Sequence, residues 1–218
     1  MVTGKKIIDL LSSPSDLISY VYIFSQKNIS GFLGTISLRM KAFIFGVKVG
    51  KGTRCYGTIH LMRAQKSVIS IGKNVTIISS SQRCGTSSIF APTKFRTHSK
   101  TAKIIVEDNV GMNGTSIIAR SKTVVVGKGT MIAPNVLIMD SDGHALWPPE
   151  NRLRNSSIEN DDDVIIGKNV WIGNRSMILK GVHIGDNSVI GAGSLVTKDI
   201  PANVLAAGVP AAVIRKLP

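Results

Sequence analysis

A six-residue repeat dominates the C-terminal part of this 218-residue chain. From Ile166 to Pro201 the sequence reads IGKNVW, IGNRSM, ILKGVH, IGDNSV, IGAGSL and VTKDIP. The first position is always Ile or Val, and the fifth position is mostly small. The fourth position is mostly Gly, Asn or Asp, the residues that best tolerate left-handed backbone. An amphipathic helix, with its 3.6-residue period, does not produce this pattern.

This repeat predicts a stack of flat-sided coils. Each unit forms one flat side, a short strand that bonds only to the coils above and below it, and the fourth position turns the corner. Since one coil cannot bury its own apolar face, stacking is obligatory and the repeat predicts a parallel β-helix. Less regular units, VGKGTR, IGKNVT, VEDNVG and VGKGTM, begin at Val49, Ile71, Val106 and Val126. We therefore assign residues 46–205 to the β-helix.

The segments on either side of the β-helix do not repeat. Residues 1–45 contain SPSDLISYVYIFSQ, which has a Ser/Asp start and helical apolar spacing. We predict short amphipathic helices there, which either cap the end of the β-helix or lie on a membrane surface. Residues 206–218 are predicted to form a short C-terminal helix or tail. The apolar start of the chain is interrupted by acids and a Pro, which indicates neither a cleavable signal nor a transmembrane helix.

The charge of the chain is strongly basic and unevenly distributed. The net charge is +14, with eight Lys or Arg and no acid in residues 55–105 and nine acids in residues 106–163. This basic excess predicts an anionic partner, such as an acidic glycan, an acidic lipid or a phosphorylated cofactor. Nucleic acid is disfavoured, since aromatic residues make up only 5% and no nucleic-acid motif is present. Cys55 and Cys84 have no metal-binding spacing and suit a reduced, cytoplasmic protein.

The repeat stops after VGKGTMIAPNVLIM and resumes at Val164, so residues 140–163 are predicted to leave the coil as a loop. This loop contains MDSDGHALW, with His144 at its centre. A His with a nearby carboxylate, here Asp140 or Asp142, is suited to general-base chemistry near neutral pH. From the residues alone, His144 is either such a base or an ordinary surface histidine.

Two stretches of the chain resemble a known family. The tail IGDNSVIGAGSLVTKDIPANVLAAGVPAAVIRKL resembles the galactoside, maltose and nodulation-factor O-acetyltransferases, which are hexapeptide-repeat acyltransferases. The middle, MDSDGHALWPPENRLRNSSIENDDDVIIGKNVWIG, also resembles capsule and O-antigen O-acetyltransferases. The resemblance implies an all-β fold, a left-handed parallel β-helix, since periodicity alone does not give the handedness.

The resemblance also implies roles for individual residues. His144 would be the general base, supported by Asp142 and by Asn113, although Gly114 stands at the matching position beside Asn113. Acetyl-CoA would be the acetyl donor, and no metal is expected. Six residues are implied in coenzyme binding, namely Asn174, Ala192, Gly193, Thr197, Lys198 and Arg215. Three are implied in contacts with the acceptor, namely Asp140, Trp147 and Trp171. A second basic residue of some relatives is replaced here by Ala212.

The predicted function is acetyl-CoA-dependent O-acetylation of a sugar, on a capsular or lipopolysaccharide glycan or its precursor. The implied assembly is a homotrimer, and the basic region favours an anionic acceptor. The predicted location is the cytoplasm, with possible peripheral membrane contact through residues 1–45. Two alternatives stay open at this point. One is N-acetylation of an amino-sugar nucleotide, and the other is a non-catalytic module that binds polyanions.

Overall fold

The computed structural model describes residues 13–153 and 157–218, which form a left-handed parallel β-helix with an α-helix at one end. Each coil has three flat faces joined by three corners. The first face contains the strands β1 (Lys48–Val49), β4 (Val68–Ile71), β7 (Lys103–Val106), β10 (Thr123–Val126), β13 (Val164–Ile166) and β16 (His183–Ile184).

The other two faces follow in the same order along each coil. The second face contains β2 (Arg54–Tyr56), β5 (Thr76–Ile78), β8 (Gly111–Asn113), β11 (Met131–Ile132), β14 (Trp171–Ile172), β17 (Val189–Ile190), β19 (Val204–Gly208) and β20 (Ala211–Lys216). The third face contains β3 (His60–Met62), β6 (Lys94–Thr97), β9 (Ser116–Ala119), β12 (Leu137–Met139), β15 (Met177–Ile178) and β18 (Leu195–Val196). We call the turns after the first, second and third faces the first, second and third corners.

The apolar and the turn-forming positions of the repeat lie where the sequence predicts, in the core and at the corners. Side chains of the first position are at most 2% exposed and form the core, namely Ile166, Ile172, Ile178, Ile184, Ile190 and Val196. The fourth position adopts positive φ at five of its six occurrences, including Asn169 (54°) and Arg175 (58°), and Asp199 is the exception. Asparagines at the first corner also bond from coil to coil, since the amide of Asn169 donates to Asn187 Oδ1 at 3.2 Å.

The N-terminal segment contains one long helix, α1 (Pro14–Phe45), where the sequence predicted several short ones. It begins at Ser13, whose hydroxyl accepts a bond from the backbone N–H of Asp16, and it ends at Gly46 with a φ of 62°. Its buried side chains, including Leu38, pack on the first coil. None of the helices within residues 13–153 and 157–218 combines the length and apolar character needed to cross a membrane.

The C-terminal prediction of a short helix is wrong. After the last coil, β19 pairs in parallel with β17 and then antiparallel with β20, so residues 204–216 form a hairpin that extends the second face. The physical reason is the free edge of β17, whose backbone groups need partners that a helix would not provide.

Candidate active site

The loop predicted at the break in the repeat lies at the third corner, between β12 and β13. Residues 140–163 contain two short 3-10 turns, Pro149–Asn151 and Ile158–Asn160. All other third corners between described strands are much shorter, for example residues 120–122 and 179–182. The loop therefore projects from a rigid scaffold, which is where binding and catalytic residues are commonly found.

His144 is exposed on this loop, and a backbone carbonyl fixes its tautomer. Its Nδ1 lies 2.7 Å from the carbonyl oxygen of Arg152. Because a carbonyl oxygen can only accept, Nδ1 is the protonated nitrogen, and the neutral ring keeps its lone pair on Nε2. The side chain is thus arranged to accept a proton at Nε2, as a general base must.

Arg120 holds the loop from beneath, a role that the sequence analysis missed. Its Nε lies 2.9 Å from Asp161 Oδ2, and its other nitrogens donate to the carbonyls of Gly143 at 2.9 Å and Ser157 at 3.1 Å. The bond with Asp161 raises the pKa of the Arg120 guanidinium against the effect of its burial. Since Gly143 directly precedes His144, Arg120 positions the backbone that carries the imidazole.

Asp140 anchors the start of the loop and does not reach an acceptor site. Its side chain is 0% exposed, and its carboxylate accepts bonds from the backbone N–H groups of Arg120, Ser121 and Lys122 at 2.7–3.0 Å. These bonds occupy the carboxylate, so the predicted contact with substrate is corrected to a structural role. Asp161 is likewise buried and paired with Arg120.

Asp142 has a different partner from the one predicted. Its carboxylate forms an ion pair with Lys180, and the carbonyl of Arg152 instead orients His144. Asp142, Lys180 and the 80%-exposed Trp147 line an open cavity of about 500 Å³ beside the loop. Asp142 and Trp147 are thus placed to contact a ligand in this cavity. The geometry does not support the predicted role of Asp142 in orienting His144.

Several predicted residues stack in one column at the second corner. The N–H of Asn135 donates to the carbonyl of Asn113 at 3.2 Å, and the N–H of Gly193 donates to that of Asn174 at 2.8 Å. Ala192 lies next to Gly193 in the same turn. The structure therefore brings Asn113, Asn174, Ala192 and Gly193 to one corner, in three of four successive coils.

The two predicted asparagines of this column, Asn113 and Asn174, differ in their free hydrogen-bonding capacity. The Asn113 amide donates to the carbonyl of Ile132 at 3.0 Å, which is a coil-to-coil contact. The Asn174 amide donates to Ser87 Oγ at 3.3 Å, while its buried Oδ1 has no partner in the described part of the chain. A buried acceptor without a partner is costly, so Asn174 Oδ1 is well suited to a donor on a ligand.

The remaining predicted residues lie elsewhere. Thr197 and Lys198 follow β18 at the third corner, the corner that carries the His144 loop. Trp171 is half-exposed on β14 of the second face, and Arg215 is exposed on β20 of the same face. Within one subunit the third face separates the second-corner column from the His144 loop.

A second long insertion, residues 79–93, covers the second corner and was not predicted to take part in the site. Phe90 donates its N–H to Asn135 Oδ1 at 2.9 Å, and the Asn135 amide donates to the carbonyl of Ser88 at 2.9 Å. The Arg175 guanidinium lies 4.7 Å from the centre of the Phe90 ring. The signal that points to this insertion is the gap in the repeat between β5 and β6.

Comparison with known proteins confirms the resemblance read from the sequence. Residues 163–198 match the family model "bacterial transferase hexapeptide (six repeats)". Over 116 residues the chain is 47% identical to galactoside O-acetyltransferase of Escherichia coli K12, a match that covers 53% of this chain and 55% of that protein. Over 123 residues it is 37% identical to the putative lipopolysaccharide biosynthesis O-acetyl transferase WbbJ of Escherichia coli K12, covering 52% and 60%. These matches thus span little more than half the length of either curated relative.

Solved structures show the same fold. A galactoside acetyltransferase in complex with coenzyme A is 28% identical with a TM-score of 0.53, over 93% of this chain and 80% of that chain. AntD, an N-acyltransferase from Bacillus cereus in complex with dTDP and 3-hydroxybutyryl-CoA, has a TM-score of 0.63 at 18% identity, over 85% of this chain and 90% of that chain. At that identity the second likeness concerns the fold alone.

Proposed function

We propose that this chain, which carries the hexapeptide repeat of bacterial transferases in residues 163–198, moves the acetyl group of acetyl-CoA to a sugar hydroxyl. The observation that carries this proposal is the fixed tautomer of His144, whose Nδ1 donates to the Arg152 carbonyl and leaves Nε2 free. The 47% identity with a galactoside O-acetyltransferase supports the same reaction.

The proposed reaction is a direct transfer within a ternary complex. Nε2 of His144 accepts the hydroxyl proton while the oxygen attacks the thioester carbonyl carbon. The tetrahedral oxyanion is stabilised by backbone or asparagine donors, the C–S bond then breaks, and the leaving sulfur takes the proton from His144. The products are the acetyl ester and free coenzyme A, so no covalent acetyl-enzyme forms.

The coenzyme is proposed to lie along the second-corner column. Asn174 Oδ1 offers a buried acceptor, and a Cβ placed on Gly193 would meet no atom within 4 Å, so this turn faces open space. Exposed cations would attract the phosphates, namely Arg215 on the second face of the same subunit and Lys198 at the third corner of a neighbouring subunit.

The complete site is proposed to form between subunits of a closed homotrimer. The third face separates the His144 loop from the Asn174–Gly193 column in one subunit, whereas a neighbouring copy can bring its own column to the loop. Each site would then combine His144 of one subunit with the coenzyme-binding column of the next.

The acceptor is proposed to be a capsular or lipopolysaccharide glycan or its precursor. The 37% identity with a putative lipopolysaccharide biosynthesis O-acetyl transferase supports this class. The half-exposed Trp171 and the exposed Trp147 would provide apolar surfaces for sugar rings.

The experiment that tests this function measures thiol release from acetyl-CoA in the presence of neutral glycans, acidic glycans or amino-sugar nucleotides. Mass spectrometry then identifies each product. We expect an acetyl ester on a glycan hydroxyl, which mild alkali removes. An alkali-stable amide on an amino sugar would overturn O-acetylation in favour of N-acetylation. Coenzyme binding by calorimetry, with no transfer to any acceptor, would contradict the sugar as substrate class.

A further inference from the structure

The outward side of α1 carries exposed apolar side chains along most of its length. This helix of 32 residues is about 48 Å long. One side is packed on the first coil through Leu38 and Ala42, which are 0% and 4% exposed. Large apolar side chains recur on the opposite side at helical spacing and are 41–89% exposed, among them Ile18, Ile29, Phe32, Ile36, Met40 and Phe43. We call these six residues the outer stripe, and an exposed stripe of this size indicates an interaction surface.

The part of the chain around this stripe carries all of the net positive charge. Residues 17–106 contain fourteen Lys or Arg and no Asp or Glu. The rest of the chain holds the remaining 13 basic residues and all 13 acids, so it is neutral overall. The apolar helix and the first coils beneath it therefore form one strongly cationic end of the molecule.

A groove beside the stripe joins these two properties. It has a volume of about 590 Å³ and lies between α1 and β2, with Phe32 and Ile36 on one wall and Arg54 and Arg83 on the other. The Arg83 guanidinium lies 4.9 Å from the centre of the Tyr56 ring. Its buried Nε has no hydrogen-bond partner among residues 13–153 and 157–218. A phosphate in this groove would satisfy Arg83 while apolar chains contact the stripe.

We propose that the outer stripe and its surrounding cations dock this protein on the surface of an anionic lipid bilayer. The helix lies in the interface and does not enter the bilayer fully, because its inner side is packed on the β-helix. Large apolar residues enter the acyl boundary while Lys and Arg side chains meet the headgroups, as in other interfacial helices. The phosphate of a lipid headgroup fits the Arg54–Arg83 groove.

A second copy of the chain is a poorer occupant for this surface. Two copies that met through their stripes would bring together two cationic ends, each with fourteen basic residues against the single acid Asp16 of α1. This repulsion opposes self-association, whereas an anionic bilayer attracts the same charges. The docking proposal does not depend on the proposed acetyl transfer.

Sedimentation with lipid vesicles tests the proposal. The full chain is mixed with vesicles of phosphatidylcholine alone or of phosphatidylcholine with phosphatidylglycerol, at low and high salt. We expect binding to the anionic vesicles that weakens with salt. The combined substitution Phe32→Gln, Ile36→Gln and Phe43→Gln should reduce that binding about tenfold or more, since it removes three of the six apolar side chains of the outer stripe. The pair Arg54→Gln and Arg83→Gln should reduce binding to anionic vesicles more than binding to neutral ones.

Matched controls separate docking from folding and from catalysis. The pair Val209→Gln and Ile214→Gln removes exposed apolar side chains from the opposite end and should bind vesicles as wild type does. His144→Ala should also bind vesicles normally, whatever it does to acetyl transfer. Circular dichroism checks that each variant is folded, and light scattering reports its oligomeric state. Wild type that ignores anionic vesicles would overturn the proposal, and a stripe variant that also dissociates would identify a second copy as the occupant.

Discussion

The imidazole of His144 owes its orientation to a carbonyl of its own loop, and the loop owes its shape to Arg120. The Arg120 guanidinium joins Asp161 near the end of the loop to the carbonyl of Gly143 near its start. Asp140 adds three further backbone bonds at the point where the loop leaves the coil. The orientation of the His144 imidazole therefore depends on Arg120 and Asp140, which lie beneath the loop.

Arg120→Lys should leave the fold intact but loosen the loop. Lysine keeps the charge beside Asp161 but cannot donate hydrogen bonds to the carboxylate and both carbonyls at once. We therefore expect the free energy of unfolding to fall by about 1–3 kcal/mol. The rate of acetyl transfer should fall while coenzyme affinity stays unchanged. Thermal unfolding and steady-state kinetics measure the two effects. The control is Lys122→Ala, an exposed neighbouring cation, and equal effects in both variants would contradict the positioning role.

The two cysteines should differ in reactivity. Burial raises the pKa of the Cys55 thiol to about 12. Burial also raises the pKa of Cys84, but hydrogen bonds from Ser87 and Thr86 outweigh it and bring that pKa below the usual 9.0. At about pH 8 very little of the Cys55 thiol is ionised, so Cys84 should be alkylated much faster.

Iodoacetamide labelling of the native protein, followed by peptide mass spectrometry, measures this difference. Thr86→Val removes one hydrogen bond to the Cys84 sulfur and should slow its labelling. Equal labelling of Cys55 and Cys84 in the folded protein would contradict the burial of Cys55.

At the scale of elements, α1 fits the first coil through small residues and direct bonds. The Thr35 hydroxyl accepts from the N–H of Cys55 at 3.0 Å, and Lys41 donates to the carbonyl of Ile59 at 2.7 Å. Arg39 donates to the carbonyls of Val49 and Gly50. The helix thus covers the open end of the β-helix and satisfies backbone groups that would otherwise lack partners.

Gly34→Ala should destabilise the protein although alanine favours helices. A Cβ at Gly34 would lie 2.5 Å from the carbonyl oxygen of Cys55 and 2.8 Å from the nitrogen of Gly57, and backbone cannot move aside easily. We expect the free energy of unfolding, measured by urea denaturation, to fall by about 1–3 kcal/mol. Gly31→Ala is the matched control, because its Cβ would meet the movable ring of Tyr56. A stabilised Gly34→Ala variant would show that the helix does not pack as described.

The sequence predicts the elements where the repeat is regular and fails where it stops. The first position is buried in every unit from Ile166 to Val196, because a six-residue period leaves no other way to cover it. At the C-terminus, the free edge of β17 favours a hairpin over a helix. The sequence VLAAGVPAAVIRKL contains no local pattern that indicates this edge. Residues 14–45 form one helix whose C-terminal half is supported by the open first coil, where Gly34, Leu38 and Ala42 are buried.

At the scale of the whole molecule, the candidate site divides between two corners. The family resemblance identifies His144, and local pattern places it on a loop, but neither reveals Arg120, whose partners lie 23–41 residues away in sequence. Asp140 and Asp142 stand two residues apart in the same polar stretch, DSDG, so the sequence does not distinguish them. In the structure Asp140 is buried, whereas Asp142 pairs with Lys180. Which side chains meet across coils depends on how the coils stack, and a single sequence does not show that stacking.

Mixed oligomers should regain activity if sites form between subunits. Gly193→Trp should block the coenzyme-binding column without an internal clash, since its Cβ meets open space, although its positive φ adds some strain. His144→Ala leaves that column intact. Hetero-oligomers of these two inactive variants should contain one complete site per trimer, about one third of wild-type activity. Thiol release from tandem-purified mixtures measures this, and complete inactivity would contradict a shared site.

The most direct measurement of the central claim is acceptor-dependent thiol release from acetyl-CoA by wild type and by His144→Ala. Loss of the base should reduce the rate about 10²–10⁴-fold, while calorimetry shows unchanged coenzyme binding. That result would support His144 as the general base of an acetyltransferase. Full activity in the His144→Ala protein would contradict the mechanism.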